Sequence, residues 1–140
     1  MAPCDHIFEL HLHHDLSELG QLDTWLGTVS EKLKLDEAAT HSLQLCVIEA
    51  VTNVIVHNSD EVDDSDIALA IEDLDGVVTV TVCDAGRPFD PTSFIVPPKP
   101  SSLRDTPIGG HGIRLIREFT TTLGYQRTDG RNMLSLSFAR

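Results

Sequence analysis

The chain has 140 residues, 41% of them hydrophobic, and a formal net charge of −12 at pH 7. Its length suits one domain with a core of its own, and its apolar share argues against disorder. The acidity argues against a nucleic-acid surface, because phosphate backbones select basic patches, and suits basic partners or anions handled through a cation and backbone amides.

Residues 6–12 alternate, with Phe8, Leu10 and Leu12 on one face and Ile7, Glu9 and His11 on the other, which predicts a half-buried strand. Asp15 then opens a helix, with Glu18 three residues on in a variant of the capping box. Its apolar stripe is Leu16, Leu19, Leu22, Leu26, Val29 and Leu33. Asp36 caps a second helix running to about His57. An acidic stretch follows (Asp60, Glu61, Asp63, Asp64, Asp66); its glycine-free spacing does not match a calcium-binding hand loop, and it reads as a solvated connection. Ile67, Leu69 and Ile71 alternate in one strand and Val78, Val80 and Val82 in the next, with Asp75-Gly76 as the hairpin turn between them.

From 85 to 110 glycines and prolines recur, and a long irregular segment of this kind inside a compact domain is usually a functional lid or a disordered segment. Ile113, Leu115, Ile116 and Phe119 then suit a third helix, preceded by Gly109-Gly110-His111-Gly112 and ended near Gly124. Two strands flank Asp129-Gly130, with Leu134, Leu136 and Phe138 facing inward on the last. The order predicts a two-layer α+β domain: a mixed, mostly antiparallel sheet covered on one face by three helices. No basic start leads into an apolar run and no apolar stretch reaches membrane-spanning length, so neither a signal peptide nor a spanning helix is expected. Cys4, Cys46 and Cys83 are far apart and odd in number, which fits free thiols in a reducing cytoplasm.

Three stretches carry chemistry. On the second helix Glu49, Asn53 and His57 recur every four residues, which stacks a carboxylate, a carboxamide and an imidazole on an element otherwise fit for burial. Buried polar groups need partners, and a metal–nucleotide is one candidate. Glu49 suits a general base, and the Asn53 side-chain oxygen suits Mg²⁺, a hard cation. Asp84 continues the core-facing row of Val78, Val80 and Val82. It either meets a donor such as the exocyclic amine of adenine or caps the Asp84-Ala85-Gly86 turn. The glycines at 109, 110 and 112 either let backbone amides approach phosphates or simply start a helix. His11 and His13 share a strand face, but no second ligand cluster is spaced to complete a zinc site.

Glu49-Ala50-Val51-Thr52-Asn53, Asp84-Ala85-Gly86-Arg87-Pro88-Phe89-Asp90-Pro91 and Gly109-Gly110-His111-Gly112-Ile113, in that order, resemble the three nucleotide-binding boxes of the GHKL ATPase/kinase superfamily. The likeness is to its small branch of bacterial anti-sigma factors that are also serine-protein kinases, the RsbW/SpoIIAB type, and it spans roughly residues 7–138. The closing hairpin from Arg127 to Asn132 suits that branch. Pro88, where sensor histidine kinases have a second glycine, and the lack of room for a phosphoacceptor hairpin point away from sensor kinases.

The resemblance implies a single histidine-kinase-like ATPase domain over 1–140, with a Bergerat ATP site between the helix layer and a lid at about 87–110. Glu49 would deprotonate the acceptor hydroxyl, Asn53 would coordinate Mg²⁺, and His57 would line the phosphate side. Asp84 would bind the adenine amine, with Gly86 allowing close approach, Phe89 packing nearby and Ser135 standing where the family often has an adenine-side Thr. Gly109, Gly110, His111 and Gly112 would hold the phosphates, whose charge Arg87, Lys99 or Arg104 would offset. The implied function is that of a cytoplasmic anti-sigma factor and serine/threonine-protein kinase. It would bind Mg-ATP, phosphorylate a small STAS-type anti-anti-sigma antagonist and sequester a sigma factor, possible as a homodimer, with no nucleic acid or membrane contact. The alternative is a kinase-inactive nucleotide-binding module that regulates a non-sigma partner.

Overall fold

The structure, a computed structural model, describes residues 7–57, 66–88, 90, 92 and 108–139, with the backbone alone at 57 and 108–113. Strand β1 is Ile7–Leu12, with Leu12 buried, Phe8 and Leu10 half-buried and Ile7, Glu9 and His11 exposed. Asp15 then caps a short 3₁₀ turn, Leu16–Glu18, by accepting from Ser17 N at 3.0 Å. Glu18 reaches back as a capping-box carboxylate does, but to His13 N at 3.0 Å, and the α-helix begins one turn later. Leu16 therefore falls outside the apolar stripe and is 52% exposed, whereas Leu22, Leu26 and Val29 are buried along helix α1, Leu19–Lys32, as is Leu33 at its C-cap.

Helix α1 ends without a glycine. Lys34 adopts a positive φ of 59°, with Lys34 N bonded to Glu31 O and Leu35 N to Ser30 O. These are the paired bonds of a Schellman cap, which glycine usually supplies at lower cost. Asp36 Oδ1 next accepts from Ala39 N at 2.7 Å and starts helix α2, Glu37–His57, as its cap. One stretch of α2, Glu37–Val56, is long and apolar enough to cross a membrane by length and composition, which corrects the expectation that none is. Its apolarity has a local cause: Leu43, Cys46, Val47, Ala50, Val51 and Ile55 are buried in the core between sheet and flanking helices.

Strands β2 (Ile67–Leu74) and β3 (Val77–Asp84) form a hairpin whose turn residues, Asp75 and Gly76, have φ of 54° and 80°. Asp129 and Gly130, at 54° and 76°, do the same between β4 (Thr122–Thr128) and β5 (Arg131–Ala139). Two positive φ values in succession match the right-handed twist of the strands they join. The sheet order is β1-β2-β3-β5-β4, and among the described residues every pairing is antiparallel, which sharpens the expected mixed, mostly antiparallel sheet. Opposite β3 on the core face stand Phe138, Leu136, Leu134 and Asn132, paired with Val78, Val80, Val82 and Asp84.

Helix α3, Ile108–Phe119, joins the layer beside α2. It ends five residues before Gly124, which lies in β4 opposite Ser135. Three successive threonines decide this: Thr120 Oγ1 bonds back to Ile116 O at 2.7 Å, and Thr121 N already pairs with Ser137 O at 2.8 Å. β-Branched residues favour the pleated strand over a further helical turn. The acidic stretch 58–65 and most of the proposed lid lie outside the described residues.

Candidate functional site

The inward alternation of β3 delivers Asp84 to the core face as the last residue of a buried row, 2% exposed. Its Oδ2 accepts from Gly86 N at 2.9 Å, turning the chain out of the strand. Directly across the ladder stands Asn132, 5% exposed, whose Nδ2 donates to Asp84 Oδ2 at 3.3 Å and to Arg87 O at 2.8 Å. Asn132 Oδ1 receives Tyr125 O–H and, at 2.9 Å, Arg127 Nη1, which also donates to Gly86 O at 3.0 Å. A polar cluster from β3, β4 and β5 thus fixes the turn after Asp84.

Above this cluster is a cavity of about 350 Å³, counting its open mouth. Ala50, Asn53 and Val54 of α2 form one wall and Ile116 of α3 another. Val82, Asp84, Tyr125, Asn132 and Leu134 form the floor. Apolar walls with a few convergent polar groups suit a flat heterocycle held at one edge. A buried carboxylate can only accept, so the edge it selects must carry a donor.

Of the residues singled out in the sequence, Asn53 and Asp84 meet in this cavity, and Gly86 and Arg87 belong to the turn beside it, Gly86 buried and Arg87 exposed. Glu49 lies one helical turn before Asn53, half-buried, and is not among the cavity-lining residues. Its carboxylate is felt by Cys46: burial first, and Glu49 second, push that thiol up to about 11. Such a buried, protonated thiol is inert packing. His57 closes α2, with its side chain outside the described residues, as are Phe89, Lys99 and Arg104 entirely.

Gly109, Gly110, His111 and Gly112 do not precede the third helix as expected; they form its opening turns, since α3 starts at Ile108. The first four N–H groups of any helix have no partner within it, so amides at the start of α3 keep their capacity to donate. Arg117, in the last turn of α3, donates from Nη2 to Thr92 O at 2.7 Å, tying that helix to the segment after Asp84.

Ser135 does not reach the cavity. It pairs with Thr81 and Gly124, and strand alternation turns it to the sheet face opposite Asp84. The residue on the cavity side is Asn132, and with Tyr125 and Arg127 it is what sequence reasoning missed. Its signal was present: Asn132 extends the inward row of Leu134, Leu136 and Phe138 as Asp84 extends that of the valines.

Comparison with known proteins agrees with this architecture. The family model described as histidine kinase-like ATPase domain matches residues 12–138. The serine/threonine-protein kinase BtrW of Bordetella bronchiseptica is 34% identical over 113 residues, covering 81% of this chain and 80% of that protein. The anti-sigma F factor of Clostridium botulinum is 27% identical over 101 residues, 72% of this chain and 63% of that protein. Among solved structures, the RsbU and RsbW domains of Rv1364c from Mycobacterium tuberculosis superpose with a TM-score of 0.69 at 14% identity, covering 95% of this chain and 32% of that one.

Proposed function

Since this chain belongs to the histidine kinase-like ATPase family, in the branch of anti-sigma factors and serine/threonine-protein kinases, we propose that it is a single-domain protein kinase that uses Mg-ATP and doubles as an anti-sigma factor. The observation that carries the reading is the buried Asp84 carboxylate at the floor of an apolar slot whose wall presents Asn53. The lining suits adenine: the ring would pack among Ala50, Val54, Ile116 and Leu134, and its amine would donate to Asp84. The Asn53 side-chain oxygen is the hard ligand that would hold Mg²⁺, which when bound neutralises phosphate charge. Arg87 belongs to the turn beside the slot, and His57 and Phe89 would complete the same proposed site. Gly109, Gly110, His111 and Gly112 would receive the phosphates at the start of α3.

In the reaction, a Ser or Thr hydroxyl oxygen of a small antagonist bonds to the γ-phosphorus as the bridge to the β-phosphate breaks. Glu49 takes the hydroxyl proton, and the departing ADP takes the negative charge. Catalysis of this type rests on positioning and electrostatics. Glu49 stands outside the base slot on the same face of α2 as Asn53, where a group serving the phosphate end belongs. Phosphorylation weakens the antagonist's hold, leaving the kinase, as a cytoplasmic homodimer, to capture a sigma factor.

Incubation with labelled Mg-ATP and a lysate of the native organism should label one small protein. Glu49→Ala should cut that labelling ~10²–10⁴-fold while sparing ATP affinity, the span a general base supplies. Undiminished labelling by the variant would remove Glu49 from the chemistry. No labelling by wild type, with partner capture intact, would favour a second reading, a kinase-inactive nucleotide-binding module acting on a non-sigma partner.

A further inference from the structure

The polar groups beneath the cavity form a one-way relay. Arg127 can only donate, and so can face only the oxygen of the Asn132 amide; the carbonyls of Gly86 and Arg87 can only accept, and so face only its nitrogen. The amide of Asn132 cannot flip without setting like against like on both sides. Its nitrogen is thereby committed toward Asp84 Oδ2, where Gly86 N also donates. Both donors engage the same carboxylate oxygen, and Oδ1 takes part in neither bond.

We propose that Asn132, locked by Arg127 and Tyr125, is the positioning residue that sets the base specificity of the cavity by holding Asp84 with Oδ1 free to accept from a purine 6-amino group. The inference rests on the reading of the cavity as an adenine site and adds the device that makes it selective. A freely rotating carboxylate would lose part of its discrimination against a 6-oxo purine, whose oxygen offers it only a second acceptor. A fixed one imposes that mismatch in full, because a buried polar group left unpaired costs more than a pairing gains. Arg127 reaches the site from β4, a strand that contributes Tyr125 but no acidic or basic group to the cavity lining.

The test compares ATP with inosine triphosphate by calorimetry in wild type, Asn132→Ala, Arg127→Gln and Asp84→Asn. Asn132→Ala should weaken ATP ~10-fold and change the inosine nucleotide less than ~3-fold, so the ratio contracts. Arg127→Gln, on a largely exposed side chain, should move the ratio in the same direction by less, and it decides the matter if Asn132→Ala does not fold. Equal losses for both nucleotides, or an unaltered ratio, would overturn the assignment, since a merely structural role weakens every nucleotide alike. Asp84→Asn separates the two levels. If it collapses the ratio while the other variants keep it, only the positioning role fails; if it leaves the ratio intact, the adenine reading fails with it.

Discussion

At the scale of single residues, a carboxylate that is 2% exposed among valines and leucines persists because its surroundings donate to it. In Asp84 the donors are Gly86 N and Asn132 Nδ2, and the remaining capacity is what a ligand amine would use. Asp84→Asn keeps size and shape but replaces an acceptor with a group that presents a donor as well. Hydrogen bonds to charged groups are worth about 1.5–3 kcal/mol, so ATP binding should weaken ~10–100-fold while GTP binding changes little. Equal losses for the two nucleotides in calorimetry would reject the role of Asp84. Asn132 carries a parallel lesson. Its alternation with Leu134, Leu136 and Phe138 marked it as inward, yet which partners an inward amide meets depends on strands far along the chain. Ser135 was drawn to the site by likeness alone, and the period-two rule places it on the other face.

At the scale of elements, α2 supplies both the middle of the core and the wall bearing Asn53, so its placement couples stability to binding. Asp36 starts it, and Asp36→Ala should lower unfolding free energy by about 1 kcal/mol through loss of the bond to Ala39 N. Urea denaturation would measure this as a lower midpoint with an unchanged slope; an unmoved midpoint would show the cap to be redundant. Element boundaries were the least legible feature. α1 begins late because Glu18 satisfies His13 N, and α3 ends early because Thr120 and Thr121 are claimed by Ile116 O and Ser137 O. The Schellman turn at Lys34 lacked the glycine that advertises such a stop.

At the scale of the whole molecule, three helices on one face of an antiparallel sheet leave the cavity between layers, walled by α2 and α3 and floored by β3, β4 and β5. A ligand bound only by the folded form adds RT ln(1 + [L]/Kd), about 2.7 kcal/mol at a hundredfold excess over Kd. Mg-ATP at that excess should therefore raise the melting temperature by several degrees, and Asp84→Asn at the same concentration should forfeit about half of the rise or more; a melt indifferent to nucleotide would count against the cavity as its site. The sequence by itself determined the strand and helix types, both hairpin turns, the inward rows and the likeness to nucleotide-binding boxes, because each depends on local periodicity, turn chemistry or residue order. It left open that the sheet is antiparallel throughout and that Asn132, Tyr125 and Arg127 gather beneath Asp84. Those were decided by tertiary structure alone. Pairing between strands nearly fifty residues apart brings Asp84 and Asn132 face to face, and no local pattern encodes which distant partner a buried polar group will meet.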